Sequence, residues 1–281
     1  MRLAGFFAFV SMVALHAGVV RAAEEAAKEP DEPKTRVAVF EKNAKVRDWQ
    51  VMGALKALPD DHKLQVTFEQ VWDMSPQKFV EIAKVLTPLN ADGKPDGVES
   101  YFKEWKGLQR TVSYKNGVKD GPEKVYEHAD GRNEFVREET QWKEGKMEGK
   151  RVVYYPDGKV ATEVTYEDGK PAGEGKSYDR EGRLTQVIRY KDGKRDGEMT
   201  DYWPATGKPK RVVPCTAGVV NGLVKEYYED GTLERELPFK NDALHGIEKH
   251  HDEKGNLTLT RYWLEGELVP EGVFKEKFKE Q

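Results

Sequence analysis

Three strings in this chain are near copies of one another: VSYKNGVKDG at 112–121, VTYEDGKPAG at 164–173 and IRYKDGKRDG at 188–197. Self-similarity at a short fixed period constrains a fold more than any single motif. Each copy must be one small supersecondary unit, and such a unit cannot bury its apolar face alone. The second glycine of each G-x-x-x-G turn marks the period: Gly97, Gly121, Gly149, Gly173, Gly197, Gly222 and Gly246. The intervals are nearly even, and the one long interval falls between Gly121 and Gly149. Five residues past each glycine stand Phe102, Tyr126, Tyr154, Tyr178, Tyr202, Tyr227 and His251. One ladder position thus recurs seven times, aromatic in the first six copies and histidine in the last.

Between the glycines apolar residues alternate, as in Val164 and Tyr166, Ile188 and Tyr190, Leu237 and Phe239, Leu257 and Leu259. Period-two alternation bounded by Asp-Gly or Asn-Gly is the signature of a β-hairpin. Each unit therefore reads as a strand, a tight turn and a second strand, with the marker glycines taken as turn glycines. The expected fold is mainly β, an elongated antiparallel meander of seven hairpins over residues 92–264. The period slips in three places. Unit two is four residues longer, around RNEFVREETQW, which predicts a bulge or protruding loop. The stretch PATGKPKRVVPCTA at 204–217 carries three prolines and predicts an irregular or edge strand. Past Leu264 the pattern decays into a lysine-rich tail, 265–281, read as a degenerate cap.

Residues 35–91 lack the period and read as a small α/β cap. TRVAVF fits a strand, and Val46, Trp49, Met52, Leu55 and Leu58 fit an amphipathic helix ended by Pro59. KLQVTFEQVW fits a second strand. Ser75-Pro76 reads as a helix start leading into Phe79, Ile82, Val85 and Leu86. The role expected of this cap is to cover the open edge of the sheet that follows.

The pattern Y-x-D/N-G-K-x-x-G…Y-Y-x-D-G, carried by YKNGVKDG, YEDGKPAG, YKDGKRDG and YYPDG, resembles the MORN repeat in its bacterial variant form, over about residues 92–264. The segment PCTAGVVNG at 214–222 departs from it, lacking the Tyr-x-Asp-Gly entry. The resemblance implies a β-hairpin array acting as a scaffold or binding surface without catalysis of its own. It also brings two further expectations: membrane-surface binding, linked to some eukaryotic members, and an antitoxin role, the label of the YwqK-type branch.

Residues 1–22 look like an export signal: Arg2, an apolar run to Val20, then Val20-Arg21-Ala22 as a small-residue cleavage site. Cleavage after Ala22 removes two arginines and changes the formal charge from −4 to −6. The competing reading is an uncleaved membrane anchor. Residues 23–34, AEEAAKEPDEPK, hold almost nothing to bury and read as a disordered linker. The expected location is exported, periplasmic or secreted.

The inventory for chemistry is thin. Mixed charge and the absence of a basic patch exclude nucleic acid. The single cysteine, Cys215, falls in the apolar slot that Tyr166, Tyr190, Phe239 and Trp263 fill elsewhere, so it reads as a small core residue. His245, His250 and His251 are close in sequence, but neighbours on a strand point to opposite faces, against a shared metal. Asn90, Asp92, Gly93 and Glu99 match a calcium loop only partly, because Pro88 stands where a carboxylate is required. No nucleophile and base occur at usable spacing, so neither enzyme activity nor a cofactor is expected. The expected function is a non-catalytic exported scaffold that binds another envelope or secreted protein through its hairpin array. The oligomeric state is not legible.

Overall fold

The computed structural model describes residues 35–42, 44, 48–73, 78–103, 107–129 and 133–279. The export-signal, anchor and linker readings, Val46 and the Ser75-Pro76 pair therefore lie outside the described residues. Sequence neighbours pair with one another throughout a 21-stranded antiparallel sheet, a β-hairpin meander with two helices.

The N-terminal segment belongs to this sheet. Strand β1 (Thr35–Glu41) pairs with β2 (Lys63–Asp73), and β2 with β3 (Lys78–Leu89). β3 then pairs with the first strand of the array through Val85–Tyr101 and Leu86–Ser100. Helix α1 (Trp49–Ala57) crosses between β1 and β2. The Asp48 side chain accepts the amides of Gln50 and Val51 at 2.8 and 3.1 Å, satisfying two N–H groups that a helix start leaves unpaired. Its apolar stripe, Val51, Leu55 and the following Leu58, packs on Leu64, Val66, Phe68, Ala83 and Leu86. Each such side chain, fully buried, contributes about 1.5–3 kcal/mol, so a charge at Val51 would detach the helix.

The helix expected through Phe79, Ile82, Val85 and Leu86 is instead strand β3. Ala83 pairs with Phe68, but Val85 pairs with Thr67 and Leu86 with Val66, leaving Lys84 as a bulge. The bulge moves the buried face from Ala83 to Leu86, a step of three that imitates helical spacing.

The seven hairpins follow a common plan. One margin of the sheet carries two-residue turns in which both residues have positive φ: Asn116-Gly117, Glu144-Gly145, Asp168-Gly169, Asp192-Gly193, Ala217-Gly218, Asn241-Asp242 and Glu265-Gly266. These turns suit the right-handed twist of their flanking strands. Even the departing segment at 214–222 keeps the geometry, with Ala217 at φ 52°. The second residue of each turn donates its N–H across to the preceding unit, from Gly117 to the Pro95 carbonyl through Gly266 to that of Leu244, at 2.6–3.2 Å. The turns are therefore stitched together one period apart.

The marker glycines are not at these turns, which corrects the expectation. Gly121, Gly149, Gly173, Gly197, Gly222 and Gly246 lie four residues past the first six of these turns, and Gly97 four past Gly93, where the strand carries two more residues than its neighbour. Val112 pairs with Glu123 but Tyr114 with Lys119, for example. All seven have positive φ, and each stands opposite one side chain of a second row: Tyr114, Trp142, Tyr166, Tyr190, Cys215, Phe239 and Trp263.

The same bulge accommodates the prolines. Pro209–Thr216 is an interior strand paired on both sides rather than an edge strand, and its pairing is irregular, skipping Lys210 on one side and Val213-Pro214 on the other. The Pro214 carbonyl accepts the Asn221 N–H at 3.1 Å. A residue's N–H and C=O leave a strand on the same side, so the donor that Pro214 lacks would have faced the neighbouring bulge, where no partner is needed. Pro238, whose carbonyl accepts from His245, occupies the equivalent place.

The extra residues of unit two lengthen its hairpin, with Glu127–Phe135, His128–Glu134 and Ala129–Asn133 paired beyond Tyr126; residues 130–132 lie outside the described set. The tail is also not strand alone. After the short strand Glu267–Val269 comes helix α2 (Glu271–Lys279), whose Phe274 is buried against Tyr262 with ring centroids 5.2 Å apart.

Register assigns the faces. Both helices lie on one side, α1 near Phe102 and α2 on Tyr262. The opposite, open face carries the second row and a satellite core of Val213, Cys215 and Val224, flanked by Met199, Val220, Leu237 and Phe239.

Candidate interaction surface

The ladder residues share one structural position. At Phe102, Tyr126, Tyr154, Tyr178, Tyr202, Tyr227 and His251 the register with the returning strand shifts by one residue. All seven are half-buried. Tyr178 donates its hydroxyl to Glu163 at 3.0 Å. Burial first, and then the Glu163 carboxylate, push the Tyr178 phenol above its ordinary range. Glu163 is itself held low by the Lys150 ammonium at 3.0 Å, against the effect of burial. The ladder is therefore a structural series at the sheet's second margin rather than a row of free side chains.

A second aromatic series, one residue past the ladder, was missed in the sequence. Tyr155 donates its hydroxyl to the Tyr178 carbonyl, the Trp203 indole N–H goes to the Tyr227 carbonyl, and Tyr228 donates to the His251 carbonyl, at 2.8–3.0 Å. The doublets YY, YW and YY at 154–155, 202–203 and 227–228 carried the signal. Each ties one unit to the ladder carbonyl of the next.

The main concavity lies on the open face beside Trp203, a groove of about 620 Å³ lined by Asp201, Tyr202, Trp203, Arg211, Tyr227 and Arg235, among others. Its floor is a string of alternating charges on successive strands. Arg211 Nε and Arg235 Nη1 approach opposite oxygens of Glu226, both at 3.4 Å. The Arg211 contact has ion-pair distance without hydrogen-bond geometry, and its Nε is shielded without a hydrogen-bond partner. Asp201 accepts from Gln186 at 2.7 Å. Lys210 places its ammonium over the Trp203 ring, 4.5 Å from the centroid. The groove presents both charge signs and an aromatic wall, with its arginines loosely held.

Near the array's end a buried carboxylate organises the open face. Glu248 accepts from the Trp263 indole at 2.5 Å and from His250, with Arg261 at 3.7 Å. Burial pushes its pKa up, but the His250 and Trp263 hydrogen bonds and the charges of His250 and Arg261 outweigh it, and the net shift is downward.

The other candidates do not converge. His250 turns to Glu248, while His245 Nδ1 accepts the Glu265 amide at 3.3 Å. Asn90 folds onto the amides of Asp92 and Lys94, and Glu99 is engaged by Thr87 and Tyr101. Among the described residues no three His, Cys, Asp or Glu side chains group to hold a metal ion, and no helix is long and apolar enough to cross a membrane. Cys215 is buried in the satellite core, and burial pushes its thiol pKa up.

No curated protein matches the chain. Among solved structures, a crystal structure of an S. aureus TarM mutant in complex with fondaparinux, alpha-GlcNAc-glycerol and UDP is similar at 16% identity and a TM-score of 0.25. The match covers 36% of this chain and 19% of that one, a likeness too slight to carry an argument. The model of the family described as MORN repeat variant matches residues 147–168 and 220–241. Those segments run through the bulges of units three and six, and the same hairpin plan recurs in the other five, so the chain carries repeats of the MORN variant kind.

Proposed function

We propose that this chain is a non-catalytic, exported scaffold that recognises another protein of the cell envelope or surroundings through the open face of its array. The groove beside Trp203 is the observation that carries the reading. Trp and Arg are among the residue types that most often dominate protein interfaces, and here Trp203, Arg211 and Arg235 line one concavity. Alternating charges along the strands suit a partner with side chains of both signs, and a repeat array offers a long surface to present them. Export rests on the signal-like residues 1–22.

The test is partner capture from cross-linked native envelopes, comparing wild type with a Trp203→Ala, Arg235→Glu double variant. One or more proteins should be recovered with wild type and lost with the variant. An empty wild-type capture, or an identical set with both, refutes the reading.

A further inference from the structure

We propose that the outer edge of Leu259–Arg261, in the last full strand of the array, docks an extended segment of a partner protein carrying an acidic side chain opposite Arg261. This rests on the protein-binding reading above and adds a second surface, separate from the groove.

The vacancy follows from the repeat. After the Glu265-Gly266 turn the chain begins an eighth unit, with Leu264–Val269 standing where Glu167–Ala172 stands in the unit-three turn. The next residue should be a bulge glycine, the counterpart of Gly173, but it is Pro270. Proline fixes φ at about −65° and cannot adopt the positive φ required there. The strand stops at Val269, and pairing with Leu257–Leu264 covers only Tyr262, Trp263 and Leu264. Among the described residues, nothing pairs with the outer side of 259–261, whose counterparts Arg110, Thr111 and Val112 pair outward with Val125, Lys124 and Glu123. The counterparts of Leu257 and Thr258 have no outer partner in the earlier units either. Helix α2 does not fill the gap, because Phe274 sits on Tyr262 and Lys277 shares a hollow with His245, Leu264 and Val269, back toward the turn.

Leu259 is 38% exposed and no proline interrupts 259–261, while the charge of Arg261 guards this edge against indiscriminate strand addition. Arg261 supplies the selectivity. In the six earlier units its row is held by Val112, Thr140, Val164, Ile188, Val213 and Leu237. The only charge in that series stands on the strand with an open side. Arg261 has Glu248 on its inner flank at 3.7 Å and would meet the incoming strand on the other. An apolar strand would leave the guanidinium without an outer counter-charge. The same edge of a second copy brings another arginine and no acid. A strand with a carboxylate in this row pairs with Arg261 while its backbone completes the sheet, the mode known as β-augmentation.

The chain itself supplies a probe. In unit two Glu123 stands opposite Val112, and Val125 opposite Arg110. Val112 and Arg110 are the counterparts of Arg261 and Leu259, so a peptide of residues 119–127 (KDGPEKVYE) would place Glu123 against Arg261 and Val125 against Leu259. The experiment is fluorescence anisotropy with this labelled peptide and the full chain, followed by amide exchange of the complex. The expected result is saturable binding with slowed exchange over 259–261. Arg261→Glu should weaken binding at least about tenfold, and a peptide carrying Glu123→Lys should restore it on that variant. No saturable binding up to millimolar peptide, indifference to Arg261→Glu, or failure of the charge swap to rescue overturns the proposal. The groove double variant should bind the peptide normally. If it does not, the peptide occupies the groove, and the edge site falls while the protein-binding reading stands. If native envelopes give no partner but the peptide binds at Arg261, that reading falls and the edge site stands.

Discussion

Replacing Gly246 by alanine tests the close packing at a bulge glycine most sharply. Gly246 has φ +129°, and a Cβ built there would stand 3.0 Å from both Cβ and Cγ of Pro238. That φ lies well beyond the small left-handed well, centred at about +57°, that other residues visit. Strain of this kind costs about 1–3 kcal/mol, and forcing a methyl into a packed contact adds about 1–3 kcal/mol. The pyrrolidine ring is held by its own strand and cannot swing aside like the end of a lysine. Gly173 is the built-in control, with φ +66° and nothing within 4 Å of its virtual Cβ. Gly173→Ala should therefore cost only the left-handed penalty, roughly 1–2 kcal/mol, against roughly 2–6 kcal/mol for Gly246→Ala. The assay is urea unfolding combined with amide exchange, since a repeat array can open unit by unit and one midpoint need not describe it. Exchange should accelerate around the substituted unit. Adding Pro238→Ala to Gly246→Ala should recover the packing share and leave the φ share. Equal costs at the two glycines, or no recovery on removing the Pro238 ring, would refute the packing argument.

Three further outcomes are expected. Cys215 should react with a thiol reagent far more slowly in the native chain than in urea, because its side chain is buried and its pKa raised; equal rates would place it outside the core. Glu248→Gln should destabilise unit seven at neutral pH. A lowered folded pKa stabilises above the ordinary glutamate range and loses that contribution as pH falls through the folded value, so the gap between wild-type and variant urea midpoints should be present at neutral pH and close in acid. Phe274→Ala removes the only buried side chain described in α2 and should cost about 3 kcal/mol locally; proteolysis should then open the C-terminal helix while the array's exchange pattern stays unchanged.

The hairpin period was legible because it is enforced by something any sequence displays, the small set of residues that tolerate positive φ at a tight turn. The position of the marker glycines within the hairpin was not. Gly117 and Gly121 are both conformationally special, and only pairing of Tyr114 with Lys119 and of Val112 with Glu123 shows which one closes the turn. The helical misreading of Ile82–Leu86 and the demotion of 209–216 share this origin. A bulge on one strand changes the apparent period of that strand at Lys84, and it changes which backbone donors the facing strand needs at Pro214. Such features belong to pairs of strands, and a one-dimensional pattern reports them as irregularities.

The candidate surfaces were less legible than the fold for a related reason. Trp203 is one of six tryptophans in the sequence and acquires meaning only when the groove it lines proves to hold Asp201, Arg211, Glu226 and Arg235. Arg261 reads as an ordinary charge until its row is traced through six units of valine, threonine, isoleucine and leucine. In a packed globule a single charged substitution in a core row would be a defect. In a sheet built from repeats the same substitution marks where the row stops being interior. The residue that breaks the pattern, rather than those that keep it, then defines the chemistry offered at the array's open end.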